Sequence, residues 1–139
     1  MKTRLCAALF GGLMLMMALT GCGSEVAVTI PVQVSYPPDI TSLQYTQDRT
    51  TQLVTGTISF TDRDADLYDM TIVVTNRLTG REASRTRTDL RSFSGYVSGT
   101  ISFSIDYITM MAGIYDFTLY LSDSYGNLSN PVYGTFSVP

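Results

Sequence analysis

The sequence contains no histidine and no tryptophan, a single lysine, and only two cysteines among its 139 residues. Without imidazole there is no general base that titrates near neutral pH, and the commonest ligand for a transition metal is missing. Two cysteines cannot build a four-thiolate zinc centre. Charged residues make up 15% of the chain, against roughly 25% in an average soluble domain. Hydroxyls take their place: there are 19 Thr and 14 Ser. The length suits one domain with an appendage rather than two domains.

The appendage is at the start. Lys2 and Arg4 form a short positive segment, and residues 5–19 (LCAALFGGLMLMMAL) carry no charge. That run is shorter than the roughly 20 residues needed to span a bilayer, and it has the form of a secretory signal. It ends in Leu19-Thr20-Gly21-Cys22, which resembles the lipobox of bacterial lipoproteins. The resemblance implies cleavage before Cys22 and acylation of that cysteine, so that residues 1–21 are lost. It implies a partner, the lipid bilayer, and a place at the bacterial cell envelope. Gly23 stands where an Asp often retains such proteins at the inner membrane, which favours the outer membrane. Cys6 leaves with the signal, so residues 22–139 hold no free thiol and no disulfide, and their stability rests on the core.

Of the nine basic residues, two precede Cys22; the other seven are all Arg. All twelve acidic residues follow Cys22, giving residues 22–139 a net charge of −5. An acidic chain without a basic footprint is unsuited to nucleic acid.

Beyond Cys22 the dominant pattern is alternation with period two. Val26, Val28, Ile30, Val32 and Val34 share a face, and Pro31 restricts that run to a sheet edge or an extended tether. After Pro37-Pro38, further strand candidates cover 40–47, 52–61, 70–75, 83–91, 96–105, 114–122 and 132–138. Val54, Ile58 and Phe60 face one way; so do Met70, Ile72 and Val74. Val97, Ile101, Phe103 and Ile105 form another inward set, followed by Tyr115, Phe117, Leu119 and Leu121, and then by Val132, Phe136 and Val138. Thr79-Gly80 reads as a hairpin turn. Seven to eight short strands with one wet and one apolar face predict an all-β antiparallel sandwich over residues 38–139, with 22–37 as lipidated terminus and tether or edge strand.

Two segments carry a second resemblance. Residues 113–123 (GIYDFTLYLSD) with Gly126-Asn127-Leu128-Ser129, and Ile58-Ser59-Phe60-Thr61-Asp62, resemble the penultimate and second strands of bacterial immunoglobulin-like and fibronectin type III-like domains. The resemblance implies the fold and puts Tyr115 at the place of a tyrosine corner. It does not imply a function, because this architecture hosts many.

Three constellations are candidate sites. Asp62, Asp64 and Asp66 alternate, with Asp69 nearby, and alternate oxygens are what Ca²⁺ requires. The EF-hand spacing fails, since Leu67 stands at its glycine and Val73 at its glutamate. The reading adopted is a solvated loop whose aspartates cap turns, with a cadherin-style Ca²⁺ loop as the alternative. Arg77, Arg81, Arg85, Arg87 and Arg91 either defend an edge strand by charge or form a patch for an anionic partner. Tyr68, Tyr96, Tyr107, Tyr125 and Tyr133 either fill the rims of the sandwich or offer rings to a sugar. A glycosidase would need two carboxylates across a cleft, for which a sandwich of this size has little room. The expected function is therefore non-catalytic and needs no cofactor: an envelope module that binds a protein, with a glycan-binding or adhesive module, with or without Ca²⁺, as the alternative.

Overall fold

The computed structural model describes residues 34–139. The signal, Cys22 and all of the Val26–Val34 alternation except Val34 lie outside the described residues. Seven strands follow: β1 (Asp39–Asp48), β2 (Leu53–Thr61), β3 (Leu67–Asn76), β4 (Glu82–Asp89), β5 (Ser98–Asp106), β6 (Gly113–Asp123) and β7 (Val132–Val138). A single 3₁₀ turn, Arg91–Phe93, carries the chain from β4 to β5. One sheet has the order β1-β2-β5 and the other β4-β3-β6-β7, with every pairing antiparallel. The result is an immunoglobulin-like β-sandwich. Its fourth strand stays beside the third, where a constant-type immunoglobulin domain would move it to the other sheet.

Alternation places the core as the sequence implies. Val54, Ile58 and Phe60 of β2, Met70, Ile72 and Val74 of β3, and Tyr115, Phe117, Leu119 and Leu121 of β6 are all buried between the sheets. The Tyr115 hydroxyl donates to the Met111 carbonyl, four residues upstream, at 2.8 Å, which is the geometry of a tyrosine corner. Two glycines make room for rings. A side chain at Gly56 would overlap Phe103, and one at Gly134 would overlap Phe117 and Tyr45.

Three departures have local causes. β3 begins three residues earlier than its period suggests, because a bulge at Tyr68 breaks the alternation between Leu67 and Asp69. Val97 is 60% exposed; it precedes β5, and Gly99 takes the inward position under the Phe60 ring. Tyr107, read as a rim residue, is fully buried and donates its hydroxyl to the Asp48 carbonyl at 3.0 Å.

One open side of the sandwich is closed by side chains acting as a strand would. Asn130 accepts from the Ile40 N–H and donates to the Ile40 carbonyl. Tyr45 does the same for Thr135, and Gln47 for Ser137. These clasps join β1 to β7 and to the loop residue Asn130 just before it, across the two sheets, and satisfy edge groups that would otherwise invite another strand.

Candidate functional site

Antiparallel connectivity sends four segments to one pole: the entering chain 34–38, the β2–β3 loop 62–66, the β4–β5 crossing 90–97 and the β6–β7 loop 124–131. The β2–β3 loop is central. Asp62, 1% exposed, folds the loop around its carboxylate: Oδ1 accepts the Asp64 N–H at 3.3 Å and Oδ2 the Asp66 N–H at 2.9 Å. Ala65 is held at φ 55°, a conformation rare without a special constraint.

Neighbouring segments hang on this loop. Val97 and Asp62 are joined by a backbone bond of 2.8 Å, and the Gly95 N–H reaches the Ala65 carbonyl at 2.7 Å. On the other flank the Ser124 N–H and hydroxyl donate to the Asp66 carbonyl and carboxylate. The Tyr36 N–H donates to Asp64 at 2.6 Å, and the Arg63 guanidinium lies over the Tyr36 ring, 4.4 Å from its centroid. Asp123, 1% exposed, collects four donors: the N–H groups of Tyr125 and Asn127, the Asn127 amide and the Ser35 hydroxyl.

The acidic residues thus have distinct jobs. Burial pushes the Asp62 carboxyl above the ordinary range, although the Asp64 and Asp66 N–H groups pull it down; the negative Asp66 adds to the rise. Burial alone would also raise Asp123, but its four hydrogen bonds outweigh that and hold it low. Asp69 lies apart on the outer face of β3, paired with Arg87. Among the described residues no three acidic side chains come together in a way that would hold a metal ion.

The arginines do not converge either. Arg77 is paired with Asp116, Arg85 with Glu82, Arg87 with Asp69 and Arg91 with Asp89. Hydrogen bonding to Arg91 draws the Asp89 carboxyl down to about 2. β4 is the edge strand of its sheet, and the pairs of Arg85 and Arg87 lie along it, with Arg91 just beyond its end; Arg77 instead ties the β3–β4 turn to β6.

Four of the tyrosines lie in or next to the segments that reach this pole. Tyr36 (42% exposed), Tyr68 (40%), Tyr96 (61%) and Tyr125 (58%) present their rings at this one pole, beside the exposed Val97 and Leu128. Arg91 lies over Tyr68 at 5.9 Å. Tyr133 is exposed on β7, where it pairs with Thr118 in the middle of β6. Sequence reasoning missed Tyr36, Ser35 and Asn127 as parts of this surface. The available signal was turn chemistry: Asp123-Ser-Tyr-Gly-Asn places an aspartate where it can cap the N–H groups two and four residues on.

No protein-family model matches the sequence, and no curated protein matches it. Solved structures resemble its fold. OgpA from Akkermansia muciniphila shares 10% identity over 76% of this chain, with a TM-score of 0.58. A catalytically inactive OgpA in complex with an O-glycopeptide substrate superposes with a TM-score of 0.52. A putative β-galactosidase from Bacteroides fragilis shares 12% identity over 73% of this chain, with a TM-score of 0.50. An immunoglobulin-like β-sandwich protein from Bacteroides vulgatus shares 15% identity over 74% of this chain and 100% of its own, with a TM-score of 0.39. The chain spans 28% of OgpA and 17% of the β-galactosidase. At these identities the likeness concerns the fold alone, and it covers only a part of the OgpA and β-galactosidase chains.

Proposed function

We propose that the chain is a non-catalytic envelope module, anchored through acylated Cys22, that binds a protein through its tyrosine-bearing loop pole. One observation carries the reading: Tyr36, Tyr68, Tyr96 and Tyr125 expose their rings on one pole, among loops rich in Ser, Gly and Asn (SFSGYVS and SYGNLSN). That is the composition of recognition loops in binding domains, where tyrosine supplies rigid contact area at low entropic cost and the small polar residues adapt their hydrogen bonds. The hydrogen bonds centred on Asp62 and Asp123 hold these loops in place before a partner arrives, which lowers the ordering cost of binding.

A photo-reactive amino acid placed at Tyr96 or Tyr125 in living cells is expected to give discrete protein adducts. The same group at Thr57, on the outer face of the three-stranded sheet, gives none. Adducts at Thr57 with none at the pole would refute the assignment of the surface.

A glycan is the second reading. It is favoured by the likeness to domains within OgpA and a β-galactosidase, together with flat rings beside carboxylates and an arginine. Adducts that collapse in mass on deglycosylation would support it over the protein partner.

For the anchor, Cys22→Ser is expected to abolish incorporation of an alkyne-labelled fatty acid and to leave the protein unprocessed or mislocalised. Label retained on the variant would refute the lipobox reading.

A further inference from the structure

The end opposite the tyrosine pole is built from the β1–β2 turn 49–52, the β3–β4 turn 77–81 and the β5–β6 loop 107–112. It is apolar at its tip. Leu78 is 94% exposed, Met111 82%, Ile108 63% and Ile114 50%. Single exposed apolar residues are ordinary, but these four project from adjoining segments. The Arg77 N–H donates to the Ile114 carbonyl at 2.9 Å, joining the turn that carries Leu78 to the start of β6. The Met111 carbonyl is tied to Tyr115.

The side chains are also held outward by built turns. Asn76 Oδ1 accepts the Leu78 and Thr79 N–H groups, both at 3.0 Å, and Gly80 closes the turn at φ 67°. Asp106 caps the Ile108 N–H at 2.9 Å. Met110 packs against the core and so fixes the loop from which Ile108 and Met111 project. Arg49 and Arg81 and the hydroxyls of Thr50, Thr51, Thr79 and Thr109 belong to the same three segments. Apolar tips with an arginine and hydroxyl rim suit the boundary between headgroups and acyl chains, where long cationic side chains reach the headgroups.

We infer that this tip rests on the lipid bilayer, dipping Leu78, Ile108 and Met111 into its interface. The inference rests on the anchored reading given above. Eleven residues separate Cys22 from Val34, and since a chain spans at most about 3.3–3.6 Å per residue, Cys22 lies within roughly 40 Å of Val34. Strands of nine or ten residues, rising about 3.3 Å each, make a sandwich roughly 30 Å tall. An anchored chain that enters at the tyrosine pole is therefore long enough to let the far tip reach the same membrane. Anchoring also raises the local concentration of the tip at the surface, so contacts too weak to hold a free protein become populated. A second copy of the chain is a poorer occupant: four side chains on a convex tip fall far short of the roughly 1,200 Å² that a stable interface buries. With this tip on the lipid, the tyrosine pole is left to face a partner.

The test uses the full acylated protein in vesicles of phosphatidylethanolamine and phosphatidylglycerol. Leu78→Cys supplies the one free thiol for an environment-sensitive dye, and Tyr96→Cys is the control. The dye at position 78 is expected to shift to the blue and to lose most of its emission to lipids spin-labelled near the carbonyl. At position 96 it stays water-like, and adding Met111→Ser weakens the quenching at 78. Protein that pellets with the vesicles but shows a water-like, unquenched dye at 78 overturns the inference and leaves the anchor standing. A blue shift without lipid quenching overturns it in favour of a second protein copy. Failure to pellet overturns anchor and inference together.

Discussion

Replacing Phe117 with alanine is expected to lower the stability of the sandwich by about 3–5 kcal/mol, the usual range for truncating a buried phenylalanine. Phe117 is 0% exposed and forms the hub of an aromatic group. Tyr45 meets it edge-on, with centroids 5.1 Å apart and planes at 84°, and Phe103 leans on it at 5.8 Å. Gly56 and Gly134 are bare because Phe103 and Phe117 occupy the space above them. Truncation thus leaves a cavity walled by backbone and by rings already committed elsewhere, and such sites collapse poorly. The loss is a large share of a total that is typically about 5–15 kcal/mol. It also touches the clasp between the sheets, since Tyr45 packs on Phe117 and bonds Thr135. Ile114→Ala, at a half-exposed position on the same strand, should stay within about 0.5 kcal/mol of the parent. Urea denaturation of both variants checks the pair; an unchanged midpoint for Phe117→Ala would mean that the faces of β6 are reversed.

The strand faces were legible because alternation is a one-dimensional signal. A residue such as Phe117 or Ile101 declares its side by its position in the run. The signal fails where the chain leaves regular pairing. The bulge at Tyr68 shifts the phase of β3, and Gly99 is silent in any hydrophobic count although it faces the core. Tyr107 was misread because it follows the last residue of β5, and its burial is decided by Gln47 and Asp48 across the sheet. The loop pole was hardest to see. Its residues come from four segments: Tyr36, Asp62, Tyr96 and Asp123 are brought together only by the topology. The acidic triplet was visible, but not its division of labour. One-dimensional spacing could not show that Asp69 turns to Arg87 while Asp62 turns inward to its own loop.

That division leads to the second large effect. Asp123→Ala is expected to cost about 2–3 kcal/mol, because a buried carboxylate disappears and several donors lose their acceptor, each unmatched buried group costing about 1–3 kcal/mol. The affected groups are the N–H of Tyr125, the N–H and amide of Asn127 and the hydroxyl of Ser35. They fix the β6–β7 loop and the entering chain, so the variant should also weaken adduct formation at Tyr125. The pH dependence has a defined sign. The folded Asp123 carboxyl sits below its ordinary value, so its contribution is present above the unfolded value of about 3.9 and fades as the pH falls through the folded one. Asp62 runs the opposite way. Its carboxyl is raised by burial, so the native state takes up that proton first, and stability rises as the pH falls through the folded value towards the unfolded one. Measured against pH, the stability gap between the parent and Asp123→Asn should therefore narrow below about pH 4. Over the interval just above it, the parent should gain on Asp62→Asn. A gap for Asp123→Asn that stays constant from neutral pH into acid would show that the charge on Asp123 contributes nothing, and that its shape alone holds the pole together.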